Sequence, residues 1–404
     1  MTAQILMARQ PIFNQQLKVV AYELLYRNNE GTNPLPLITG DQASSRVILH
    51  SYTSVSEAGN LRVLPAFVNF TQQMLEQDSL PSVPPKEIVV EILEDCLATP
   101  KLVATVKKLA EAGYIIALDD FIYHDDAIPL LEIARIVKID LRALSANQLA
   151  EQVERLKPFN VRLLAEKVET HEEYTQCRDL GFDLFQGYFF SKPQLLKGSH
   201  VGSSKVILLQ LMGALSKSDV EFSEIEALIE RDPGLTYKLL RLVNSSAFGL
   251  QRQVNSIQDT LVYLGLNELK KWLSLITLAD NPGKPTELVR QLLLLARMSE
   301  LTAQAEQLDS PGEAFMCGLL LHLDGLLDMS TEDALAQIQV GDHIRAAVMD
   351  GEGAVGELVH RVEAFVRGTL VSDDLAMVSR LHTTYLQSLQ WTRESMQLMQ
   401  QASN

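Results

Sequence analysis

The sequence predicts two domains of different class, an α/β barrel followed by an all-helical domain. Three observations carry that reading. Short apolar, β-branched runs alternate with helical patterns through the first half, the signature of parallel strands joined by helices. The alternation stops after Ser191-Lys192-Pro193, and helical signals alone follow. At roughly 100–200 residues per domain, a chain of 404 residues is also too long for one ordinary core.

The apolar runs cover residues 19–25, 66–70, 88–93, 114–118, 135–139, 161–165 and 182–190. Helical patterns lie between several of them, as at residues 100–112, where Leu102, Val103, Val106, Leu109 and Ala110 share a face. So many parallel strands within about 190 residues imply a closed barrel rather than an open sheet, and the shortness implies one irregular unit. Residues 31–36 and 80–85 read as loops, and Gly198-Ser199-His200-Val201-Gly202-Ser203-Ser204 reads as a linker. The expected organisation is therefore a barrel over residues 1–197, a linker over 198–204 and an all-α domain over 205–404. In the second part, Asp232-Pro233 starts a helix carrying Leu235, Leu239, Leu240 and Val243. Asn255 and Ser256 start another with Leu261, Val262 and Leu264, and residues 285–308 form a long amphipathic candidate.

Composition narrows the function. Fifty-one acidic residues against 35 basic ones give a net charge of −16, and both halves are acidic, so binding to DNA or RNA is not expected. No apolar stretch approaches the ~20 residues needed to span a bilayer, and the N-terminus lacks the pattern of a secretory leader. The three cysteines, Cys96, Cys177 and Cys317, contain no CxxC pair and suit reduced core residues of a cytoplasmic protein.

The informative feature is where polar residues interrupt the apolar runs. Glu23, Asn69 and Glu91 fall in the first three, Asp119-Asp120 closes the fourth, Lys138 sits late in the fifth, Glu166 closes the sixth and Gln186 lies in the seventh. Strand C-termini of a parallel barrel open onto one face, so these side chains converge. Converging carboxylates repel unless cations lie between them, and carboxylate with amide oxygens suits Mg2+ or Mn2+, with room for two ions. Each residue taken singly has another reading: an acid after a strand is commonly a helix N-cap or a solvated turn residue, a lysine can snorkel, and a glutamine can satisfy the backbone.

The same residues carry a family resemblance. Ala8-Arg9-Gln10-Pro11-Ile12-Phe13, Tyr22-Glu23-Leu24-Leu25-Tyr26-Arg27, Val68-Asn69-Phe70-Thr71, Glu91-Ile92-Leu93-Glu94, Leu118-Asp119-Asp120-Phe121 and Lys138-Ile139-Asp140 occur in that order. Ala165-Glu166-Lys167-Val168-Glu169-Thr170 and Gln186-Gly187-Tyr188-Phe189-Phe190 follow. The series resembles an EAL-domain cyclic-di-GMP phosphodiesterase, and the remainder of the chain, on Asp232-Pro233-Gly234-Leu235 and residues 238–245, resembles an HDOD domain, a metal-free relative of the HD phosphohydrolases. The resemblance implies an EAL-type TIM-like barrel and an all-helical HDOD domain. It implies that Glu23, Asn69, Glu91 and Asp119 ligate one divalent cation and that Asp119 and Asp120 help a second. Glu166 and Lys138 would orient and deprotonate the attacking water, Glu169 and Gln186 would support them, and Arg27 would pair with a substrate phosphate. The implied reaction is hydrolysis of cyclic-di-GMP to pGpG, weak or conditional.

Three departures from the family pattern bear on that reaction. Ile122-Tyr123-His124-Asp125-Asp126 stands where the family has a glycine-rich loop, Lys167 replaces a glycine, and Leu24 replaces an alanine. They keep a second expectation open, an inactive adaptor that binds cyclic-di-GMP or only partner proteins. An unrelated metal-dependent barrel hydrolase is a third.

In the second domain, Asp232-Pro233-Gly234-Leu235 and Lys238-Leu239-Leu240-Arg241-Leu242-Val243-Asn244-Ser245 resemble the HDOD signature. None of His200, His322, His343, His360 and His382 is followed by Asp, as an HD phosphohydrolase requires, and His322 reads as packed or solvated. A non-catalytic surface for a protein partner is implied, and a homodimer is compatible.

Overall fold

The computed structural model of the chain describes residues 7–26, 42–57, 60–76, 81, 83–189, 203–217, 220–230, 233–244, 254, 256–279, 284–338 and 340–403. The chain divides into two compact units, Met1–Val55 with Val63–Phe190, and Ser56–Arg62 with Ser191–Asn404.

The first unit holds a closed eight-stranded barrel built from β1 (Met7–Asn14), β2 (Val19–Tyr26), β5 (Ala66–Phe70), β6 (Ile88–Ile92), β7 (Ile115–Leu118), β8 (Ile136–Asp140), β9 (Arg162–Glu166) and β10 (Leu184–Gln186). Two short strands, β3 (Ser54–Glu57) and β4 (Asn60–Val63), form a separate sheet. Each of the seven expected runs overlaps a strand, and neighbouring strands from β2 through β5 to β10 pair in parallel. The irregular unit is β1, which closes the barrel by pairing antiparallel with both β2 and β10. Its sequence, Met-Ala-Arg-Gln-Pro-Ile-Phe-Asn, lacks a clean apolar run, yet Ala8, Ile12 and Phe13 are fully buried. Arg9 is buried too, with its guanidinium 4.1 Å from the centre of the Tyr22 ring and a bond to the Tyr52 carbonyl.

One layer of the barrel interior takes one side chain from every strand: Ile12, Ala21, Phe67, Val89, Ala117, Ile136, Leu164 and Leu184. Bulky and small residues mix in it, and all eight are buried. The helices that follow β6, β8 and β9 are capped by hydroxyl residues. Thr99, Ser145 and Thr170 receive backbone N–H groups at the starts of helices Pro100–Glu111, Ala146–Leu156 and His171–Leu180, with a full capping box at the latter two. The acids at the strand ends are therefore not the caps of these helices, and that reading of them is set aside.

From Ser203 onward the regular elements of the second unit are all helices. Ser256 caps helix Ile257–Leu264 by accepting from the Asp259 N–H at 2.9 Å, and helix Pro233–Val243 begins at the expected proline. Asp232, Asn255 and the first five residues of the expected linker lie outside the described residues, and Ser203 and Ser204 already belong to helix Ser203–Ser216. The expectation of an amphipathic helix near residues 285–308 needs correction. Helix Thr286–Ala305 is buried on most of its circumference, packed by helices Pro311–Leu320, Gly353–Arg367 and Leu375–Ser403. Its charged residues enter the core in pairs: Glu287 with Arg290, and Glu300 with both Arg297 and Lys271 at 2.6 Å. Gly318 lets the partner helix approach, since a Cβ there would lie 2.8 Å from Ser299 Oγ and 2.9 Å from the Leu295 carbonyl.

Candidate metal centre at the barrel mouth

Side chains alternate in and out along a strand, so two residues past the apolar layer each strand points inward again. On the parallel strands this step runs from Ala21 to Glu23, Phe67 to Asn69, Val89 to Glu91, Ala117 to Asp119, Ile136 to Lys138, Leu164 to Glu166 and Leu184 to Gln186. On antiparallel β1 the step toward the same end runs backwards, from Ile12 to Gln10. A complete polar layer thus sits directly on the apolar one. Gln10 was missed because its strand was; its signal is an amide two residues before Ile12 in the one strand that runs the other way.

Lys138 is the centre of this layer. Its ammonium, on a side chain 1% exposed, lies 2.7 Å from Asp119 Oδ1, 2.9 Å from Glu166 Oε1 and 3.5 Å from Glu23 Oε2, and it also contacts Glu91 Oε1. Burial alone would depress its pKa, but the attraction of Glu166, Glu23, Glu91 and Asp119 together holds it well above the usual lysine value. Gln186 donates from Nε2 to Gln10 Oε1 at 2.9 Å and to Glu23 Oε2, tying the last strand to the first two.

One ammonium does not neutralise four carboxylates. Burial raises Glu91 well above the carboxylate range, against the pull of Lys138, and raises Glu166 to about 8. Asp120 is raised by burial and by the charge of Asp119. Several oxygens also lack hydrogen-bond donors: Asn69 Oδ1, both oxygens of Glu91, Glu166 Oε2 and Gln186 Oε1. The contact of Glu91 Oε1 with Lys138 is ionic and lacks hydrogen-bond geometry. Buried acceptors without donors are costly, and a cation satisfies them. Asn69 and Glu91 are register partners on β5 and β6, and oxygens of Asp119, Asp120 and Glu166 lie within 4.8 Å of one another. This all-oxygen donor set fits a hard divalent ion.

The loop after β9 shapes the rim. Lys167 takes φ of +55°, in the left-handed region that costs a residue with a side chain roughly 1–2 kcal/mol. Its ammonium reaches Asp140 Oδ2 at 2.5 Å, and its carbonyl accepts from Arg142 at 3.3 Å. Gly187, just after Gln186, packs so tightly that a Cβ would lie 2.0 Å from the Val168 carbonyl oxygen, and the Val168 N–H donates to the Gln186 carbonyl at 3.0 Å. Asp120 also has positive φ, +38°. In the segment after it, Ile122 is exposed, while the Tyr123 N–H donates to Gln152 Oε1 at 2.9 Å and its ring lies under the Arg155 guanidinium.

Nine of the ten site residues expected from the sequence are described, and eight meet at this mouth. Glu169 does not join them. It follows the turn made by Lys167, is exposed, and approaches Arg142 at 3.8 Å while its backbone N–H donates to Glu173. Arg27 lies outside the described residues. In the helical unit, His322 is partly buried and paired with Glu363 Oε1 at 2.7 Å, with Arg367 on the same carboxylate at 2.9 Å. Among the described residues no helix is long and apolar enough to cross a membrane.

The EAL domain family matches residues 2–193, and the HDOD domain family matches residues 203–341. The chain is 36% identical over 362 residues to the cyclic di-GMP phosphodiesterase CdgJ of Vibrio cholerae, covering 89% of this chain and 84% of that protein. It is 31% identical over 411 residues to YuxH of Bacillus subtilis, covering 97% and 99%. A solved c-di-GMP-bound structure of a standalone EAL protein from Vibrio cholerae aligns at 22% identity and a TM-score of 0.34, covering 48% of this chain and 93% of that one.

Proposed function

The chain belongs to the proteins that join an EAL domain to an HDOD domain, and from that premise we propose that its barrel is a divalent-metal phosphodiesterase that opens cyclic-di-GMP to pGpG. The observation that carries this reading is the set of buried, donorless oxygens on Asn69, Glu91 and Glu166 beside the Asp119–Asp120–Glu166 triangle.

Glu23, Asn69, Glu91 and Asp119 would hold one Mg2+ or Mn2+, and Asp119, Asp120 and Glu166 a second. Bound there, the ions supply charge stabilisation for a developing phosphorane and lower the pKa of a water. The chain does the rest. Lys138 holds Asp119, Glu91 and Glu166 at fixed positions and balances part of their charge. Glu166 has Oε1 fixed by Lys138 and Oε2 without a donor, so Oε2 is the atom placed to receive a proton from the attacking water. Gln186, tied to Gln10 and Glu23, holds Glu23 in place. Arg27 would meet a phosphate of the substrate.

A second reading, binding without turnover, is favoured by the segment after Asp120. Tyr123 anchors it to helix Ala146–Leu156, where the EAL pattern of the resemblance would have a glycine-rich loop. The HDOD domain would present a docking surface to a protein partner, and the barrel domain would extend over residues 1–197 with a linker from 198 to the start of helix Ser203–Ser216. Turnover of cyclic-di-GMP by the purified full chain with Mg2+ or Mn2+, beside binding in Ca2+, separates the readings. The expected result is pGpG release, abolished in Glu23→Ala and Glu166→Ala. Binding without release in every metal would leave a receptor.

A further inference from the structure

Among the described residues, Lys167 brings an ammonium to the rim of the Asp119–Asp120–Glu166 triangle that the proposed chemistry does not use. Its backbone is held in the left-handed region, and two contacts fix it there. Arg142 binds its carbonyl at 3.3 Å while gripping Glu173 at 2.7 Å, and its own ammonium binds Asp140 Oδ2 at 2.5 Å. A strained residue persists where its surroundings over-determine it. Asp140 is then fully engaged, because its other oxygen, Oδ1, accepts the Arg142 backbone N–H at 2.7 Å.

Asp140 is the register partner of Glu166 across β8 and β9, so it stands beside the triangle with both oxygens occupied. The Lys167 ammonium also feels the charges of Asp120, Asp140 and Glu166. Two effects follow. Asp140 is withheld from any ion at the triangle, and a fixed positive charge stands near the place that ion would occupy. Like charges at such range oppose binding, less steeply at a rim that water reaches than in a dry interior.

We infer that Lys167 is a built-in counter-cation that makes the two cation positions unequal, leaving the one at Glu23, Asn69, Glu91 and Asp119 tight and the one at Asp119, Asp120 and Glu166 weak. This rests on the proposed metal centre. It makes Lys167 a tuning residue for metal occupancy, so that catalysis would follow the free concentration of the divalent ion.

The test is a calorimetric titration of Mn2+ into the metal-stripped full chain, without nucleotide, for the wild type and for Lys167→Gln, Lys167→Gly and Lys167→Arg. The glycine variant keeps the left-handed backbone at no steric cost, which separates charge from strain. Wild type and Lys167→Arg are expected to show one tight and one weak site. Lys167→Gln and Lys167→Gly should tighten the weak site about tenfold, as removal of one nearby positive charge at a wet rim predicts. The tight site should not change. Two equal sites in the wild type, an unchanged weak site in Lys167→Gln, or an arginine variant that behaves like the glutamine one would overturn the inference. Absence of Mn2+ binding in all four proteins would overturn it together with the metal centre. Unequal Mn2+ binding without hydrolysis of cyclic-di-GMP would instead sustain it and remove the phosphodiesterase reading.

Discussion

The Lys138 ammonium and the Glu166 carboxylate meet at 2.9 Å, both nearly sealed from solvent, on adjacent strands of the barrel. Three more carboxylates share that ammonium, so it is the only internal charge balance the described cluster has at its centre.

Replacing Lys138 with Met therefore leaves several buried carboxylates uncompensated. Loss of one partner from a buried ion pair costs about 3–5 kcal/mol, and the barrel of Lys138→Met should be destabilised by about that much in EDTA. Added Mn2+ should restore more stability to the variant than to the wild type, because the ion replaces the missing charge. Urea unfolding of the barrel with and without Mn2+ measures both. Equal losses in the two buffers would contradict the cluster's dependence on cations.

Glu91→Gln separates chemistry from stability. Glu91 is fully buried, and its charge is opposed by burial and by Glu23 and Asp119. The neutral isostere removes that opposition, so stability should hold or rise by up to about 1 kcal/mol. Turnover of cyclic-di-GMP should fall by about a hundredfold or more, since a metal ligand is weakened. Thermal unfolding and pGpG release, run side by side, read the two effects.

Gly187→Ala should be among the most damaging small substitutions in the barrel. The new Cβ would lie 2.0 Å from backbone oxygen, and backbone has no rotamer by which to yield. A loss of about 3 kcal/mol or more is expected, with Gln186 displaced from Gln10 and Glu23. A variant as stable as wild type in urea would show that Gly187 and Val168 do not pack this closely.

His382 gives the helical unit a pH limit. Burial lowers its pKa to about 4, against roughly 6.5 in the unfolded chain. The unfolded state binds the proton first, so this contribution is complete above pH 6.5 and fades as pH falls toward 4. Discounted for partial solvent access, the loss is about 2 kcal/mol. His382→Gln should flatten stability across that window, measured as the difference in urea unfolding between pH 7.5 and 4.5. An unchanged slope would mean that another group titrates there.

Much of the barrel was legible because apolar runs and polar interruptions report the same alternation. Glu23, Asn69, Glu91, Lys138 and Glu166 were visible as breaks in runs that otherwise read as buried strand. The strand Met7–Asn14 was not, because Arg9 is hidden against Tyr22 and Gln10 faces the polar layer, which removes the apolar pattern that identifies a strand. Residues 286–305 misled for the opposite reason. Glu287, Arg290, Arg297 and Glu300 look like a solvent face in sequence, but ion pairing with one another or with Lys271 lets them enter the core. The position of Glu169 depended on a backbone dihedral at Lys167, which a pattern of residue types does not encode.

The contact between Gln10 and Gln186 joins residues 176 positions apart. During synthesis the first strand must wait for the last before the ring can close, and until then it offers an unpaired edge to other chains. So distant a pairing makes closure a late and slow event in folding. The polar mouth comes into being only at that moment: a nascent or N-terminally clipped barrel can keep most of its acids and still have no chamber in which to gather them.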